Sequence, residues 1–531
     1  MLNRILAKLR TPDGNINPWV IAITVTLATF MEVLDTSIAN VALPHISGNL
    51  SAGADESTWV LTSYLVSNAI VLPLSGWMSS LIGRKRFYMS CVAIFTVSSF
   101  LCGLAPSLGM LVFFRILQGV GGGGLQPSEQ AILNDTFPLE KRGMAFAVYG
   151  LAVVVAPTIG PWLGGWITDN FSWRWIFYIN VPVGIISLLL TSVLVSDPPY
   201  MKKAKASLKS GFRIDYIGIG LISLGLGSMQ IILDKGERED WLSSNFIVCF
   251  FVLMLVGLIS GIIWELREKN PVVDLRMMKN RNFALATVAM FFLGFVLYAS
   301  TVLIPQMLQE LLGYTAQLSG MALSPGGAVI MCMMPVVGLL VSRVDTRILV
   351  TFGCLVSSTA LFVMAGWDLQ LDYRHAVTAR MLQSFGLAFL FIPINVAAFA
   401  YVPREKMNMG TGIINLARNI GASVGIATVT TMLQRRTQVH QAQLMEHVNG
   451  FSAAYHNMVN GTQTRLVSAG SGLAQASAQA HGMVYNLVQR QAVMLAFIDN
   501  FKMLGVVFLA VIPVLLLLKK PKAPAGNVPV H

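Results

Sequence analysis

The chain has 531 residues, 55% of them hydrophobic and only 12% charged, with a formal net charge of +12. Soluble domains carry about 25% charged residues, so this composition excludes a soluble multidomain enzyme, a disordered chain and a disulfide scaffold. Mean hydropathy is +0.65, and apolar runs of the ~20 residues that cross ~30 Å of hydrocarbon recur throughout. The fold class is an all-α polytopic membrane protein.

In chain order, residues 1–18 read as a cytoplasmic amphipathic N-terminus. Leu2, Ile5, Leu6 and Leu9 share one helical face, and Arg4, Lys8 and Arg10 lie elsewhere, which suits a helix on the inner leaflet. A signal peptide is not expected, because the first apolar run is too long and no small-residue cleavage site follows it. Fourteen spans follow: 19–43, 58–81, 87–106, 109–134, 143–168, 174–196, 215–234, 246–266, 283–311, 318–342, 347–366, 376–402, 409–434 and 499–518. Loops on the N-terminal side hold 25 of the 37 Lys and Arg, and short loops opposite hold four: Arg174, Lys235, Arg238 and Arg374. By the positive-inside rule both termini are cytoplasmic. The basic excess thus marks topology, and no nucleic-acid partner is expected. Cys91, Cys102, Cys249, Cys332 and Cys354 all fall in apolar runs and read as small buried hydrophobes.

An internal repeat organises these spans. Pro73-x-x-Gly76 matches Pro335-x-x-Gly338 at an offset of 262, and Arg115-Ile-Leu-Gln118 matches Arg380-Met-Leu-Gln383 at 265. Ala42-Leu43-Pro44 matches Leu303-Ile304-Pro305 at 261, and the Ala156–Gly160 segment matches Gly421–Gly425 at 265. The expected division is a six-helix half at 19–196, a basic linker at 197–214 and two extra helices at 215–266. A second six-helix half follows at 283–518, including an outer loop at 435–498, and a cytoplasmic tail at 519–531. Two six-helix halves arranged 6 + 2 + 6 place a substrate site near the midplane between them. Transport follows from that plan more naturally than catalysis, so no enzyme activity is expected.

No phosphate loop, H-E-x-x-H or paired-Cys motif occurs. No metal or cofactor is therefore expected, and energy comes from an ion gradient, the proton motive force, unless the protein only facilitates diffusion. Each ionisable group at the bilayer centre costs roughly 2.5–3.5 kcal/mol on insertion scales. Glu32 and Asp35 share a face of span 1, and Arg115 in span 4 matches Asp35 in depth. An Asp35–Arg115 pair with Glu32 beside it can load and release a proton, and the competing reading is a fixed ion pair joining the two spans. Arg418 lies beside Asn415 and Asn419 in span 13, and Arg380 lies near the outer end of span 12. Three uses stay open for these cations: binding an anionic substrate group, pairing with Glu32, or packing against carbonyls and Asn side chains. Glu129 is placed near the inner end of span 4, where solvation alone accounts for it. By depth, Asn68, Gln118 and Tyr298 are substrate-cavity candidates, joined by Arg418 and Asn415.

The motifs around these residues resemble a family. Leu34-Asp-Thr-Ser-Ile-Ala-Asn-Val-Ala-Leu-Pro44 looks like the span-1 motif of the fourteen-helix drug/proton antiporters of the major facilitator superfamily. Arg115-x-x-Gln118-Gly119 resembles the superfamily's span-4 motif, whose Arg is implicated in proton transfer. Gly150, Pro157, Gly160, Pro161, Gly164 and Gly165 resemble the span-5 motif of exporters, and Trp173 to Gly184 the entry to span 6. The loop after span 2 keeps Gly76, Gly83, Arg84 and Lys85 of the gating motif but has Ser80 at the acidic position; Glu32 is outside the family motif. The resemblance runs essentially end to end. It implies a major facilitator fold and proton-coupled efflux of hydrophobic or amphipathic drugs from a bacterial inner membrane, hence antibiotic resistance. Export would proceed by alternating access, with an inward-facing cavity taking substrate and protonation in span 1 accompanying the reset. An uptake symporter on the same fold and a non-transporting sensor remain alternatives, the latter having no need of buried charge.

The outer loop at 435–498 has five charged residues and eight Gln, a composition that favours helix. His440, His447, His456 and His481 lack Cys or carboxylate partners and read as polar surface. The resemblance implies a tripartite system with a periplasmic membrane-fusion adaptor and, through it, an outer-membrane channel. The loop either docks that adaptor or covers the cavity.

Overall fold

The computed structural model describes residues 16–138, 141–197, 215–269, 271–403, 406–448 and 452–518. The N-terminal amphipathic segment up to residue 15, the linker from 198 to 214 and the tail from 519 lie outside these. Among the described residues the long helices are α1 (Pro18–Asn49), α2 (Trp59–Ile82), α3 (Arg84–Leu104), α4 (Leu108–Thr136) and α5 (Arg142–Asn170). They continue as α6 (Trp175–Leu194), α7 (Tyr216–Lys235), α8 (Asn245–Arg267), α9 (Arg281–Glu310) and α10 (Ala316–Leu340). The chain ends with α11 (Thr346–Met364), α12 (Tyr373–Phe399), α13 (Met407–His447) and α14 (Leu473–Leu516).

Lipid offers no partner to backbone groups, so each segment closes its own hydrogen bonds as helix and its ends need caps. Asn17 accepts from the Trp19 amide at 3.0 Å ahead of Pro18, and Asn280 accepts from Asn282 and Phe283 at 3.1 and 3.3 Å. Twelve helices are long and apolar enough to cross a membrane, and α5, bent by 44° around Pro157, makes a thirteenth. The helix left over, α13, is long but polar, with Asn408, Asn415, Arg418 and Asn419 along it. It packs inside: a Cβ on Gly421 would lie 2.0 Å from the Phe291 carbonyl of α9, and on Gly425 2.4 Å from that of Phe295. Small residues bring the two backbones together, as within lipid they must. The arrangement is consistent with the fourteen spans of the sequence.

We call the side where α1 begins the near face and the opposite side the far face. Helix α7 packs against α2 and α13, and α8 packs on α7 with only 17% of its apolar window buried, so it faces lipid. On the near face the two halves are clamped together. A Cβ on Gly76 of α2 would lie 2.7 Å from the Met409 backbone, and one on Gly143 of α5 2.7 Å from the Gly338 carbonyl of α10. Asn408 donates to Ser79 at 3.1 Å and Thr411 to the Pro127 carbonyl at 3.0 Å.

The far face is open. A cavity of about 580 Å³ lies between the far ends of α1, α2, α7 and α9, lined by residues that include Asn40, Leu61, Asp234, Gln306 and Glu310. Beyond it, α13 and α14 run on past the apolar zone and, with a helix at Ala453–Ser468, build a projection with a small core of Val459, Ala480 and Val484. Asp499 anchors its base to Arg436 at 3.1 Å and His440 at 2.8 Å.

Candidate functional site

The structure brings Asp35 and Arg115 together. Asp35 accepts at one oxygen from Arg115 at 2.6 Å, and at the other from Gln118 at 2.9 Å and Asn180 of α6 at 2.7 Å. Arg115 also donates to Gln118 at 2.7 Å and to the Val60 carbonyl at 3.0 Å. Its guanidinium lies 4.3 Å from the centre of the Tyr64 ring. The Arg115 side chain is 0% exposed and that of Asp35 1%. Tyr64 and Arg115 form the floor of the far-face cavity, yet both are buried, so the ring caps the pair rather than exposing it.

One turn deeper, Glu32 joins a second network. It accepts from Tyr64 at 3.1 Å, Asn68 at 3.3 Å and Gln126 of α4 at 2.7 Å. The other end of the Gln126 amide accepts from Arg418, which also donates to Tyr149 of α5 at 3.2 Å. Asn415 exchanges hydrogen bonds with Gln130 at 3.0 and 3.2 Å and lies 3.3 Å from the Tyr149 hydroxyl. The partner of Arg418, unreadable from sequence, is therefore Gln126, which links it to Glu32 across the halves. Tyr64 touches both networks, since its hydroxyl meets Glu32 while its ring covers Arg115.

Other expected positions fall as follows. None of Asn68, Gln118, Tyr298, Arg418 and Asn415 is among the residues lining the far-face cavity. Gln118 is locked into the Asp35 cluster; Asn68, Arg418 and Asn415 belong to the Glu32 network. Tyr298 is half-buried near Arg418 and Glu32. Glu129 is not solvated, as expected from its depth, but fully buried, accepting from Thr26 at 2.5 Å. The bent α4 turns it toward α1 rather than toward the near face. Arg380 donates to Gln383 at 2.7 Å and to Ser300 and Thr301 at 3.2 Å each, and no carboxylate among the described residues bonds to it.

In the gating loop, Ser80 bonds its own helix at Gly76 and Trp77. Arg84 pairs with Asp135 of α4 and donates to the Ala131 carbonyl at 2.9 Å, while Lys85 Nζ donates to the Ser192 carbonyl at 2.6 Å. Asp197 accepts from the Lys85 amide at 2.8 Å, next to Gly83 at φ +94°. Two carboxylates from elsewhere in the chain, Asp135 of α4 and Asp197 beyond the end of α6, thus serve the turn that lacks its own. In the span-5 motif, a Cβ on Gly160 would lie 2.3 Å from Ser37 Oγ and on Gly164 3.1 Å from Ile38, so both seat α1. Ser37 donates to the Pro157 carbonyl at 3.1 Å. Gly150 instead meets Met334 and Phe391 of the other half, and Gly320 of α10 lies against Pro161. Gly165 has nothing within 4 Å.

Tyr64, Gln126, Tyr149 and Asn180 escaped the sequence reading. Asn180 sits inside the Trp173–Gly184 motif and Tyr149 beside Gly150, so position in a motif was the available signal.

Residues 25–426 match the Major Facilitator Superfamily. The chain belongs to this superfamily. It is 34% identical over 509 residues to the multidrug export protein EmrB of Escherichia coli K12, covering 96% of each chain. It is 36% identical over 510 residues to the fatty acid resistance protein FarB of Neisseria gonorrhoeae, covering 96% of this chain and 97% of that one. The proton:xylose symporter XylE shares the fold, with a TM-score of 0.60 at 13% identity, over 95% of this chain and 96% of that one. Major facilitator proteins place substrate and coupling-ion sites near the midplane where the halves meet. The Glu32–Gln126–Arg418 network occupies that position here.

Proposed function

We propose that the protein is a proton-coupled multidrug exporter of a bacterial inner membrane, with both termini cytoplasmic, acting on hydrophobic and amphipathic compounds by alternating access. The observation that carries this reading is the sealed Asp35–Arg115 pair directly beneath a cavity open on the far face alone. The relatives named for multidrug export and fatty acid resistance, matched over nearly the whole chain, support the substrate class. The excess of Lys and Arg in near-face loops supports the orientation.

In this state the near-face clamp is closed and substrate has its exit through the far-face cavity. A proton arriving there meets Tyr64 and then Asp35. Neutralising Asp35 removes the attraction that ties α1 to α4 through Arg115, and the rearrangement passes through Tyr64 to Glu32, Gln126 and Arg418, which join the halves. Each proton moving inward carries about 2.3 kcal/mol per 100 mV of potential, enough to support a useful gradient of a neutral compound.

The far-face projection fits a periplasmic adaptor, and through it an outer-membrane channel. Leu473, Met483, Tyr485 and Leu487 are exposed on it, beyond the zone where lipid would cover them, and exposed apolar groups in water mark contact surfaces. Replacing Leu473, Met483, Tyr485 and Leu487 by Ser with adaptor co-purification unchanged would remove this part of the proposal.

The test of transport uses protein in liposomes with an imposed pH gradient and ethidium. Wild type moves ethidium against the proton flow, and Asp35→Asn at equal reconstitution does not. Pumping by the variant at the wild-type rate would refute coupling through Asp35. Co-directional movement of proton and ethidium would make the protein a symporter.

A further inference from the structure

We propose that Arg380, in the second half of the molecule, is the receptor for the carboxylate of an amphipathic anion entering from the far-face cavity. The proposal rests on the exporter reading only in treating the cavity as a substrate space, and it names one class of substrate.

The argument starts from the repeat. Arg115-x-x-Gln118 and Arg380-x-x-Gln383 are equivalent, and in both the Gln carbonyl accepts from the Arg at 2.7 Å. In the first half the Arg and the Gln amide converge on Asp35. Counting back from the Pro44–Pro305 match puts Val296 at the position of Asp35, and Val296 is fully buried. The second half has kept the donors and lost the acceptor.

What remains is a cluster of donors with spare capacity. Arg380 is 3% exposed, and its only hydrogen-bond partners among the described residues are Gln383, Ser300 and Thr301. Arg380 Nε, Gln383 Nε2 and Ser384 Oγ, all buried, have none. A buried cation without a counter-charge is among the most unfavourable arrangements in a membrane interior, and intramembrane charge of this kind marks a ligand path. A guanidinium fork matches a carboxylate at two points. The unpaired Gln383 amide adds a donor like the one Gln118 offers Asp35.

Access is through Thr301. It lines the far-face cavity, and its hydroxyl stands 3.2 Å from Arg380. Thr301 thus touches both Arg380 and the cavity, whose walls also include the apolar Leu61, Leu65, Val302 and Ile426 and the charged Asp234, Arg238 and Glu310. An anion with an apolar body meets the cavity with both of its parts. The α10 side is closed, since a Cβ on Gly326 would lie 3.2 Å from Arg380 Cγ.

The test measures equilibrium binding of dodecanoate and its methyl ester to purified full-length protein in one detergent, without any gradient. A failure of transport therefore leaves it intact. Wild type is expected to bind the acid at least tenfold more tightly than the ester after correction for micelle partitioning. Arg380→Gln should bring the two within about twofold. Val296→Asp supplies the missing carboxylate from inside, as Asp35 does in the first half, and should abolish the preference in a protein that elutes as wild type. If Arg380→Gln does not fold, Val296→Asp carries the same readout. Equal binding of acid and ester by wild type overturns the proposal, as does a preference that survives in the folded variants.

Discussion

The two halves treat the same Arg-x-x-Gln unit differently. Arg115 is paired with Asp35 and capped by Tyr64, whereas among the described residues Arg380 bonds to hydroxyls and an amide. The two halves share the cation, the Gln and the depth, and differ by one carboxylate, Asp35 against Val296. A paired charge can serve proton exchange, because its partner titrates; an unpaired charge can serve a ligand, because the ligand completes it. On the proposed reading, one fold separates coupling from recognition between its halves.

The sharpest way to break this comparison is to remove each cation. Deleting one member of a buried pair costs about 3–5 kcal/mol because the other is left uncompensated. Arg115→Met should therefore lower the thermal midpoint in a given detergent strongly, and Arg380→Met should leave it unchanged or raise it. Equal losses would mean that Arg380 has a counter-charge after all.

A smaller contrast lies at the repeat-related glycines 160 and 425. A Cβ at Gly425 would meet the Phe295 carbonyl at 2.4 Å, which cannot move without shifting α9, whereas one at Gly160 would meet Ser37 Oγ at 2.3 Å, which can rotate, and Ser37 Cβ at 2.5 Å, which moves only with α1. Gly425→Ala should cost about 1–3 kcal/mol as an overpacked contact. Gly160→Ala should cost toward the lower end of the same range, about 1 kcal/mol, because part of its overlap is with a hydroxyl that can rotate. Thermal midpoints in matched detergent rank the two, and the reverse order would place the tighter seam in the first half.

The near-face ion pairs should give the smallest effect. Arg84–Asp135 is nearly buried, while Lys406 is about half exposed where it pairs with Asp274. Lys406→Ala should change stability by about 0–1 kcal/mol and lose even that in high salt. A larger loss, read from the same melts, would mean that the Lys406–Asp274 pair behaves as a buried one despite the exposure of Lys406.

Much of the site was legible because lipid makes charge conspicuous. Glu32, Asp35, Arg115, Arg380 and Arg418 stand out in apolar runs, and depth alone paired Asp35 with Arg115. Depth does not say which way a helix is turned. Gln118, placed in the cavity by depth, faces Asp35 instead, and Glu129, placed at the near face, is sealed against Thr26. Asp135 of α4 and Asp197 beyond α6 serve the turn that lacks an acid at Ser80 from positions distant in sequence, and no spacing announces that. Gln126 is an ordinary amide until its two ends are seen to join Glu32 and Arg418.

By itself the sequence determined that this chain crosses a membrane many times, which loops are basic, that its halves repeat and where its intramembrane charges lie. Those properties follow from the solvent, because the bilayer sets the length, polarity and hydrogen bonding of every span one at a time. Only the tertiary structure decided that the near face is clamped and the far face open, that Arg418 reaches Glu32 through Gln126, and that Arg380 bonds to no carboxylate among the described residues. Lipid and protein interior are equally apolar, so periodicity carries little record of which face of a helix meets which neighbour. That choice is made by close contacts such as Gly421 on Phe291 and Gly76 on Met409, which exist only once all the helices are packed.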